Sequence, residues 1–421
     1  MSRPGSELLR ASARLTLPTV LAVGLGAVTA IVTARSLGPT GRGQLVLALT
    51  VVTISSVVLT LGLDTAARFA LVRAETGVTA GAYLGASLIL VVVETVVVAA
   101  VLVATGKWGD VQFSRDLVLL SSAFAAVFHS AAMLRGLLSA YGHLLVTACA
   151  SAGGVVLTFV LVCGFALRDS GAVDVYLIAF GLGALLELVV LGAYGAARGL
   201  LRAPAFALSS WRTLVCLGIP ALGIVGARTV VFRLDRYVVG VVMGAGAAGV
   251  YSIASTVSEA LRFAPRILSE VVLHRVATRR GSTVAVEHAR LVLLVVTAPI
   301  LIVIAVFAPQ IITLLVGPEF LDAVLPLRIL LIGELAVVSF WVDLNHLAGM
   351  GRFGRASVMC LAVAAAVVAL DLWLIPTLGL AGAAIASVAG YLGFAVAARA
   401  GKRSASREDE PDDRRVSGGP A

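Results

Sequence analysis

Apolar stretches long enough to cross a lipid bilayer recur along almost the whole of the 421-residue chain. A membrane helix needs about 20 mainly apolar residues, because the hydrocarbon core is roughly 30 Å thick. With 60% hydrophobic and 13% charged residues, the chain does not have the balance of a water-soluble domain. Only structures that satisfy their own backbone hydrogen bonds can cross lipid, so the pattern predicts an all-α integral membrane protein.

The hydropathy pattern predicts about twelve transmembrane helices. The predicted spans are residues 15–37, 44–66, 79–104, 117–139, 144–167, 173–197, 213–243, 248–273, 289–309, 324–347, 354–376 and 380–399. With both termini inside, most of the 32 Lys and Arg fall on inner segments, as the positive-inside rule requires. The cations left on or near outer segments are Arg35, Arg42, Lys107, Arg115, Arg168 and Arg328. The Arg, Ala and Val bias indicates a GC-rich bacterium, so we expect these spans to make a multi-pass protein of a bacterial cytoplasmic membrane.

An internal repeat appears at an offset of 206 residues, which takes position 43 to position 249. The matching residues are Gly38, Gly43, Ala48, Thr50 and Val51 with Gly244, Gly249, Ala254, Thr256 and Val257. Six helices per repeat give both halves one orientation, so the repeat predicts two pseudo-symmetric six-helix bundles. We expect an N-terminal lobe at residues 1–205, a C-terminal lobe at 206–400, a disordered cytoplasmic tail at 401–421 and a central ligand cavity.

Polar residues follow one face of the predicted eighth span. They are Ser252, Ser255, Glu259, Arg262, Arg266 and Glu270. Such a stripe inside a membrane should face a wet cavity or the opposite lobe. Its charged members could instead only neutralise one another as pairs within the helix. The repeat offset leads from them to Thr53, Ser56, Thr60 and Asp64 of the second span, which predicts a second polar face.

The predicted seventh span carries Arg228, Arg233, Asp235 and Arg236. Three cations beside one anion suit a diphosphate, whose oxygens match the planar guanidinium group. Arg233 and Arg236 could alternatively reach the outer headgroups as anchors, whereas Arg228 lies too deep for that.

Isolated acids within other spans are candidates for proton or sodium coupling. They are Glu94, Glu187, Glu334 and Asp343. The alternative is a carboxyl hydrogen-bonded between helices, and His129 similarly fits a packed histidine or a proton relay. The sequence contains no P-loop, HExxH or GxSxG motif and no paired Cys or His motif, so we predict neither an ATPase nor any metal or cofactor. The net charge of +9 does not indicate nucleic acid in a membrane protein.

Four stretches, in order along nearly the whole chain, resemble the polysaccharide-export branch of the multidrug/oligosaccharidyl-lipid/polysaccharide (MOP) flippase superfamily, the Wzx-type proteins. They lie at residues 35–43, 233–254, 316–320 and 351–386. The resemblance implies a two-lobed transporter that moves a polyprenyl-diphosphate-linked oligosaccharide, for O-antigen or exopolysaccharide synthesis, by alternating access. It also implies that the arginines of the seventh and eighth spans lie near the diphosphate. Gln44 and Leu45 depart from the repeat, which has Val250 and Tyr251 there.

Some alternative functions are also transport, and others are not. A multidrug or cation antiporter of the related branch would require an acidic, aromatic cavity, but aromatic residues make up only 6% of the chain. A peptidoglycan-precursor flippase typically carries two further helices, for which the predicted twelve spans leave no room. A membrane glycosyltransferase would need catalytic carboxylates on a sizeable outer loop, so we predict no enzyme. A non-transporting scaffold for polysaccharide assembly is the remaining alternative function. The expected partners are the lipid-linked oligosaccharide, membrane lipids and other polysaccharide-assembly proteins.

Overall fold

The computed structural model describes residues 4–73, 76–108, 111, 113–262, 283–349 and 353–408. Every regular element within those ranges is helical, which confirms the all-α membrane fold. Nine helices of the described chain are long and apolar enough to cross a membrane, and a bent pair can supply a tenth span. The first two predicted spans share one helix, and the eighth runs into residues outside the described ranges.

The helices of the first half precede residue 198. They are α1 (Pro4–Leu59), α2 (Leu63–Ala70), α3 (Ala80–Trp108), α4 (Arg115–Ala140), α5 (Leu144–Ala166) and α6 (Val173–Ala197). The second half contains α7 (Leu208–Met243), α8 (Ala245–Leu261), α9 (Thr283–Val306), α10 (Ala308–Leu315), a 3-10 helix (Pro318–Ala323), α11 (Val324–Gly349), α12 (Phe353–Leu378) and α13 (Leu380–Glu408). The last helix is longer than predicted and enters the expected disordered tail, of which residues 409–421 lie outside the described ranges.

Helix α1 turns back on itself at Gly38. This residue has φ 64° and ψ −177°, a conformation that a side chain would disfavour, and Pro39 follows it. Nη1 of Arg42 donates a hydrogen bond to Oγ1 of Thr33 at 2.8 Å. A straight helix would separate these two residues by roughly 13 Å along its axis. The first arm of α1 (residues 4–37) and its second arm (residues 39–59) therefore lie side by side.

The second arm ends earlier than the sequence predicts. Residues 60–62 form a turn, with Gly62 at φ 70°, before α2 begins. A single helical face was predicted for Thr53, Ser56, Thr60 and Asp64. That prediction is wrong, because the turn separates Asp64 from the other three and places it beside Gly136 of α4.

The two halves meet directly at the end of the bundle that is outer in the predicted orientation. A Cβ atom added to Gly43 would clash with the carbonyl oxygen of Ala245, and one added to Gly249 would clash with that of Pro39. The repeat offset takes position 43 to 249 and position 39 to 245, so the two contacts are equivalent. A twofold axis between the halves produces this reciprocity. We call these four residues the outer contact.

Helix α7 packs against both halves. Its first turns join the apolar core of α2, α3 and α4 through Leu214, whereas Val231 and Val238 belong to the core of the second half. The connection before α7 is also attached to the first half, since the backbone N–H of Ala205 donates to the Gly81 carbonyl oxygen at 2.8 Å. The lobe division at residues 205/206 stays a prediction.

Candidate functional site

A cavity of about 620 Å³ lies between the two halves, where the repeat leads us to expect one. Both arms of α1, together with α7 and α8, form most of its wall, and Phe180 and Trp341 complete it. The charged residues that line it are Arg42, Arg228, Arg233, Arg236, Arg262 and Glu259. Five arginines therefore face the same space as one glutamate.

The cavity wall follows the internal repeat. Lining positions of the first arm of α1 and of α7 correspond at the offset of 206, and they are Val23, Gly26, Ala27 and Ala30 with Thr229, Phe232, Arg233 and Arg236. Thr50 and Thr256 correspond in the same way and also line the cavity. At three of these five pairs, a glycine or alanine of the first half corresponds to Phe232, Arg233 or Arg236 of the second half.

Arg236 is buried and pairs with Glu259 of α8 through Nη2 and Oε1. It therefore does not extend to the outer headgroups, which removes that alternative for this residue. Arg233 lines the cavity one turn away, and its side chain forms no hydrogen bond with the described part of the chain. Its charge is balanced in part by the electrostatic attraction of Glu259.

Asp235, which the sequence groups with these arginines, is buried behind the cavity wall. Its Oδ2 accepts hydrogen bonds from the Tyr251 hydroxyl at 2.7 Å and from Ser387 Oγ at 2.9 Å. Its Oδ1 accepts from the backbone N–H of Arg236 at 2.8 Å. The carboxylate thus links α7, α8 and α13 and fixes the backbone that carries Arg236.

Arg262 combines an ion pair with aromatic packing. Its Nε lies 2.8 Å and 2.7 Å from the two carboxylate oxygens of Glu334. Its guanidinium carbon lies 4.4 Å from the ring centre of Phe232 and 4.6 Å from that of Tyr391. Glu259 and Arg262 therefore do not pair with each other within α8. Glu259 pairs with Arg236 of α7, and Arg262 pairs with Glu334 of α11.

Arg228 also lines the cavity. Its guanidinium carbon is 5.1 Å from the ring centre of Trp341. A cation held over an indole ring is attracted by the negative face of that ring. Arg228 is thus oriented by an aromatic side chain of α11.

Several predicted site residues do not line this cavity. Oγ1 of Thr53 and Oγ of Ser255 donate to carbonyl oxygens of their own helices, at 2.7 Å and 3.0 Å. Thr60 does the same with the carbonyl of Ser56, and both are buried. Arg266 and Glu270 lie outside the described residues. The hydroxyl-bearing face is therefore occupied by hydrogen bonds within helices.

The four intramembrane acids proposed for ion coupling all have partners on other helices or a basic neighbour. Glu187 accepts from Arg135 Nη1 at 2.7 Å and from Ser151. Asp343 pairs with Arg290, and Glu334 with Arg262. Glu94 contacts Nδ1 of His129, and both side chains are fully buried. Within the described ranges, no three His, Cys, Asp or Glu side chains lie together in a group that could hold a metal ion.

Arg42 is the cavity residue that the sequence reasoning missed. We assigned it to the outer turn between the first two spans, but it lies on the second arm of α1, 6% exposed. The reason is that the turn is confined to Gly38, so the helix resumes before Arg42. The sequence does contain one indication that Arg42 lies near the cavity, because it directly precedes Gly43, a glycine of the internal repeat.

Comparisons with known proteins agree with this architecture. The family described as "Polysaccharide biosynthesis protein" matches residues 8–265. No curated protein sequence gives a significant match. A solved structure of the lipid II flippase MurJ, in an inward closed conformation, is 15% identical and has a TM-score of 0.74 over 92% of this chain and 87% of that one.

Two MATE transporters have a similar fold. An inward-facing multidrug resistance MATE family transporter of the MOP superfamily is 16% identical, with a TM-score of 0.70 over 95% of this chain and 99% of that one. A eukaryotic MATE transporter is also 16% identical, with a TM-score of 0.61 over 95% and 98% of the two chains. At these identities the likeness establishes the fold alone.

Proposed function

Because the chain belongs to the polysaccharide biosynthesis protein family of the MOP superfamily of membrane transporters, we propose that it moves a polyprenyl-diphosphate-linked oligosaccharide across the membrane. The direction is from the inner to the outer leaflet of a bacterial cytoplasmic membrane, by alternating access. The family and the fold support a multi-pass transporter rather than an enzyme. The substrate is inferred from the chemistry of the cavity.

The excess of guanidinium groups in the cavity is the observation that carries this proposal. Glu259 neutralises Arg236, and Glu334 neutralises Arg262. No carboxylate of the described chain pairs with Arg42 or Arg233. A cavity with more cations than anions attracts a diphosphate and repels a cationic drug. This charge balance favours an anionic lipid-linked substrate over the cation antiporter.

The cavity lowers the barrier by shielding the charged part of the substrate. An ionised group in hydrocarbon without a partner has a very high transfer free energy, so a diphosphate crosses a bare bilayer extremely slowly. In the proposed mechanism the diphosphate and sugars occupy the cavity, while the prenyl chain stays in lipid. The chain lacks an ATP-binding motif, so the driving force is an ion gradient or removal of the product on the far side.

Replacement of Arg233 by Gln tests this proposal with the least structural disturbance. Arg233 lines the cavity and has no ion pair within the described chain. We expect transport of a labelled lipid-linked oligosaccharide in proteoliposomes to fall about tenfold or more, as for loss of one charge-assisted hydrogen bond. The matched control is Arg35→Gln, because Arg35 is exposed and donates to the Leu315 carbonyl outside the cavity.

The outcomes of this test separate the competing functions. Full transport by the Arg233→Gln protein would remove the arginine from substrate binding. Export of a cationic drug without oligosaccharide transport would support the antiporter. Absence of any transport by intact wild-type protein, with folding verified, would support a scaffold.

A further inference from the structure

The side chain of Arg42 is held rigidly in the cavity wall. Nη1 donates to Oγ1 of Thr33 at 2.8 Å, and that hydroxyl donates in turn to the Thr29 carbonyl oxygen at 2.8 Å. Thr33 is fully buried, and Arg42 is 6% exposed. A chain of two hydrogen bonds therefore fixes the guanidinium group before any ligand arrives.

The hydrogen-bonding capacity of Arg42 is left incomplete. Its Nε is buried and has no hydrogen-bond partner among the described residues, and the same is true of Nε of Arg236 and of Arg290. Those two arginines nevertheless each pair with a carboxylate, whereas no carboxylate of the described chain pairs with Arg42. A buried charge without a counterion is strongly destabilising. Its retention in the wall points to a counterion that arrives from the cavity.

Arg42 shares the cavity with a second buried positive charge, that of Arg236. The two like charges repel each other. These residues belong to different halves of the protein, and both line the cavity. Arg42 directly precedes Gly43 of the outer contact, so the repulsion acts beside the place where the halves meet.

From these observations we infer that Arg42 forms the first-half arm of a diphosphate site, which Arg233 and Arg236 complete from α7. Each phosphoryl group of a diphosphate can accept hydrogen bonds from one guanidinium group. A ligand that bridges Arg42 and α7 removes their repulsion and stabilises the outer contact. The substrate would thus load while the outer end is closed. This inference deepens the proposed function and rests on it for the identity of the lipid.

Diphosphate binding to the full-length protein in detergent tests the inference. The probes are inorganic pyrophosphate and farnesyl diphosphate, measured by calorimetry, with phosphatidylglycerol as the arm that tests for an ordinary lipid headgroup. We expect Arg42→Gln to weaken binding of both diphosphates tenfold or more. Arg42→Lys should recover part of the affinity, since it retains the charge but loses the planar fork. The matched control Arg35→Gln should bind as wild type.

Thermal stability distinguishes a ligand-binding residue from a structural one. Removing an uncompensated buried charge should raise or preserve the Tm of the ligand-free protein, and pyrophosphate should then stabilise wild type but not Arg42→Gln. Unchanged diphosphate affinity, or a lower ligand-free Tm with unchanged affinity, would overturn the inference. So would wild-type protein that binds phosphatidylglycerol as tightly as farnesyl diphosphate.

The binding measurement tests the role of Arg42, and the transport measurement tests the proposed function, so either claim can be rejected without the other. Arg42-dependent diphosphate binding by a protein that transports no lipid-linked oligosaccharide would keep the inference and reject the proposed function. Oligosaccharide transport by wild type that is unaffected by Arg42→Gln would keep the proposed function and reject the inference.

Discussion

At the scale of single residues, Arg262 has both a structural and an electrostatic role. It bonds both carboxylate oxygens of Glu334 and packs against the rings of Phe232 and Tyr391. Ser258 also donates to Glu334, so the carboxylate holds α8 and α11 together. Arg262 is consequently a poor choice for testing ligand binding alone.

A double-mutant cycle should reveal the strength of this pair. We expect Arg262→Gln or Glu334→Gln alone to lower the free energy of unfolding by about 3–5 kcal/mol, because each leaves a buried charge without its partner. The double variant should be less destabilised than the sum of the two. Chemical unfolding in detergent measures all four proteins. Strictly additive effects would contradict the pairing.

Residue types could be predicted from the sequence, but their partners could not. Deep arginines and acids are visible as charges within apolar spans, which is how Arg228 and Glu334 became candidates. The partners of such groups lie on distant helices, as when Arg135 pairs with Glu187. Spacing within one helix carries no information about these contacts. The spacing therefore suggested ion pairs within α8, whereas the pairs in the structure join different helices.

At the scale of helices, the outer contact is a close approach that only residues without a side chain allow. The backbones of α1 and α8 meet at Gly43 and Gly249, where an added Cβ atom would overlap a carbonyl oxygen. Small residues serve this purpose in membrane helix pairs generally. A larger side chain at either position should keep the outer ends apart.

Gly43→Leu and Gly249→Leu should therefore shift the protein toward an outward-open conformation. Spin labels at Leu167 and Leu314, which are exposed in the first and second halves, would report a longer distance. The four native cysteines are replaced beforehand. Gly153→Leu is the control, because a Cβ there meets nothing within 4 Å. Distances that match wild type in both variants would show that the contact does not set the conformation.

Helices were predicted well, whereas breaks between them were not. Long apolar runs fix the existence of α3 to α7, since lipid leaves the backbone few alternatives. The turn at residues 60–62 has no comparable signal, because threonine, leucine and glycine all occur inside membrane helices. The sequence pattern therefore predicts one continuous helical face up to Asp64, although the turn interrupts the helix before that residue.

At the scale of the whole molecule, the four candidate coupling acids divide into two chemical classes. Glu187, Glu334 and Asp343 each pair with an arginine, a side chain that does not release its proton in proteins. Glu94 instead contacts His129, within the first half and away from the cationic wall. Neither carboxylate oxygen of Glu94 and neither ring nitrogen of His129 forms a regular hydrogen bond with a described residue. This pair can exchange a proton without breaking an arginine ion pair.

Proton coupling, if the transporter uses it, should consequently depend on Glu94. We expect an imposed pH gradient to accelerate oligosaccharide transport in proteoliposomes that contain wild-type protein. Glu94→Gln should abolish this acceleration and leave transport without a gradient unchanged, because the cavity arginines are untouched. His129→Gln should have the same effect, since it removes the other half of the pair.

The control for this experiment is Glu187→Gln, with transport normalised to folded protein because its arginine pair is partly buried. It should retain the response to the gradient, since Glu187 pairs with Arg135, which cannot exchange a proton with it, and not with a histidine. Retention of the response by Glu94→Gln would separate this acid from energy coupling. A wild-type rate that ignores both proton and sodium gradients would instead point to downhill movement, driven by use of the oligosaccharide on the outer side.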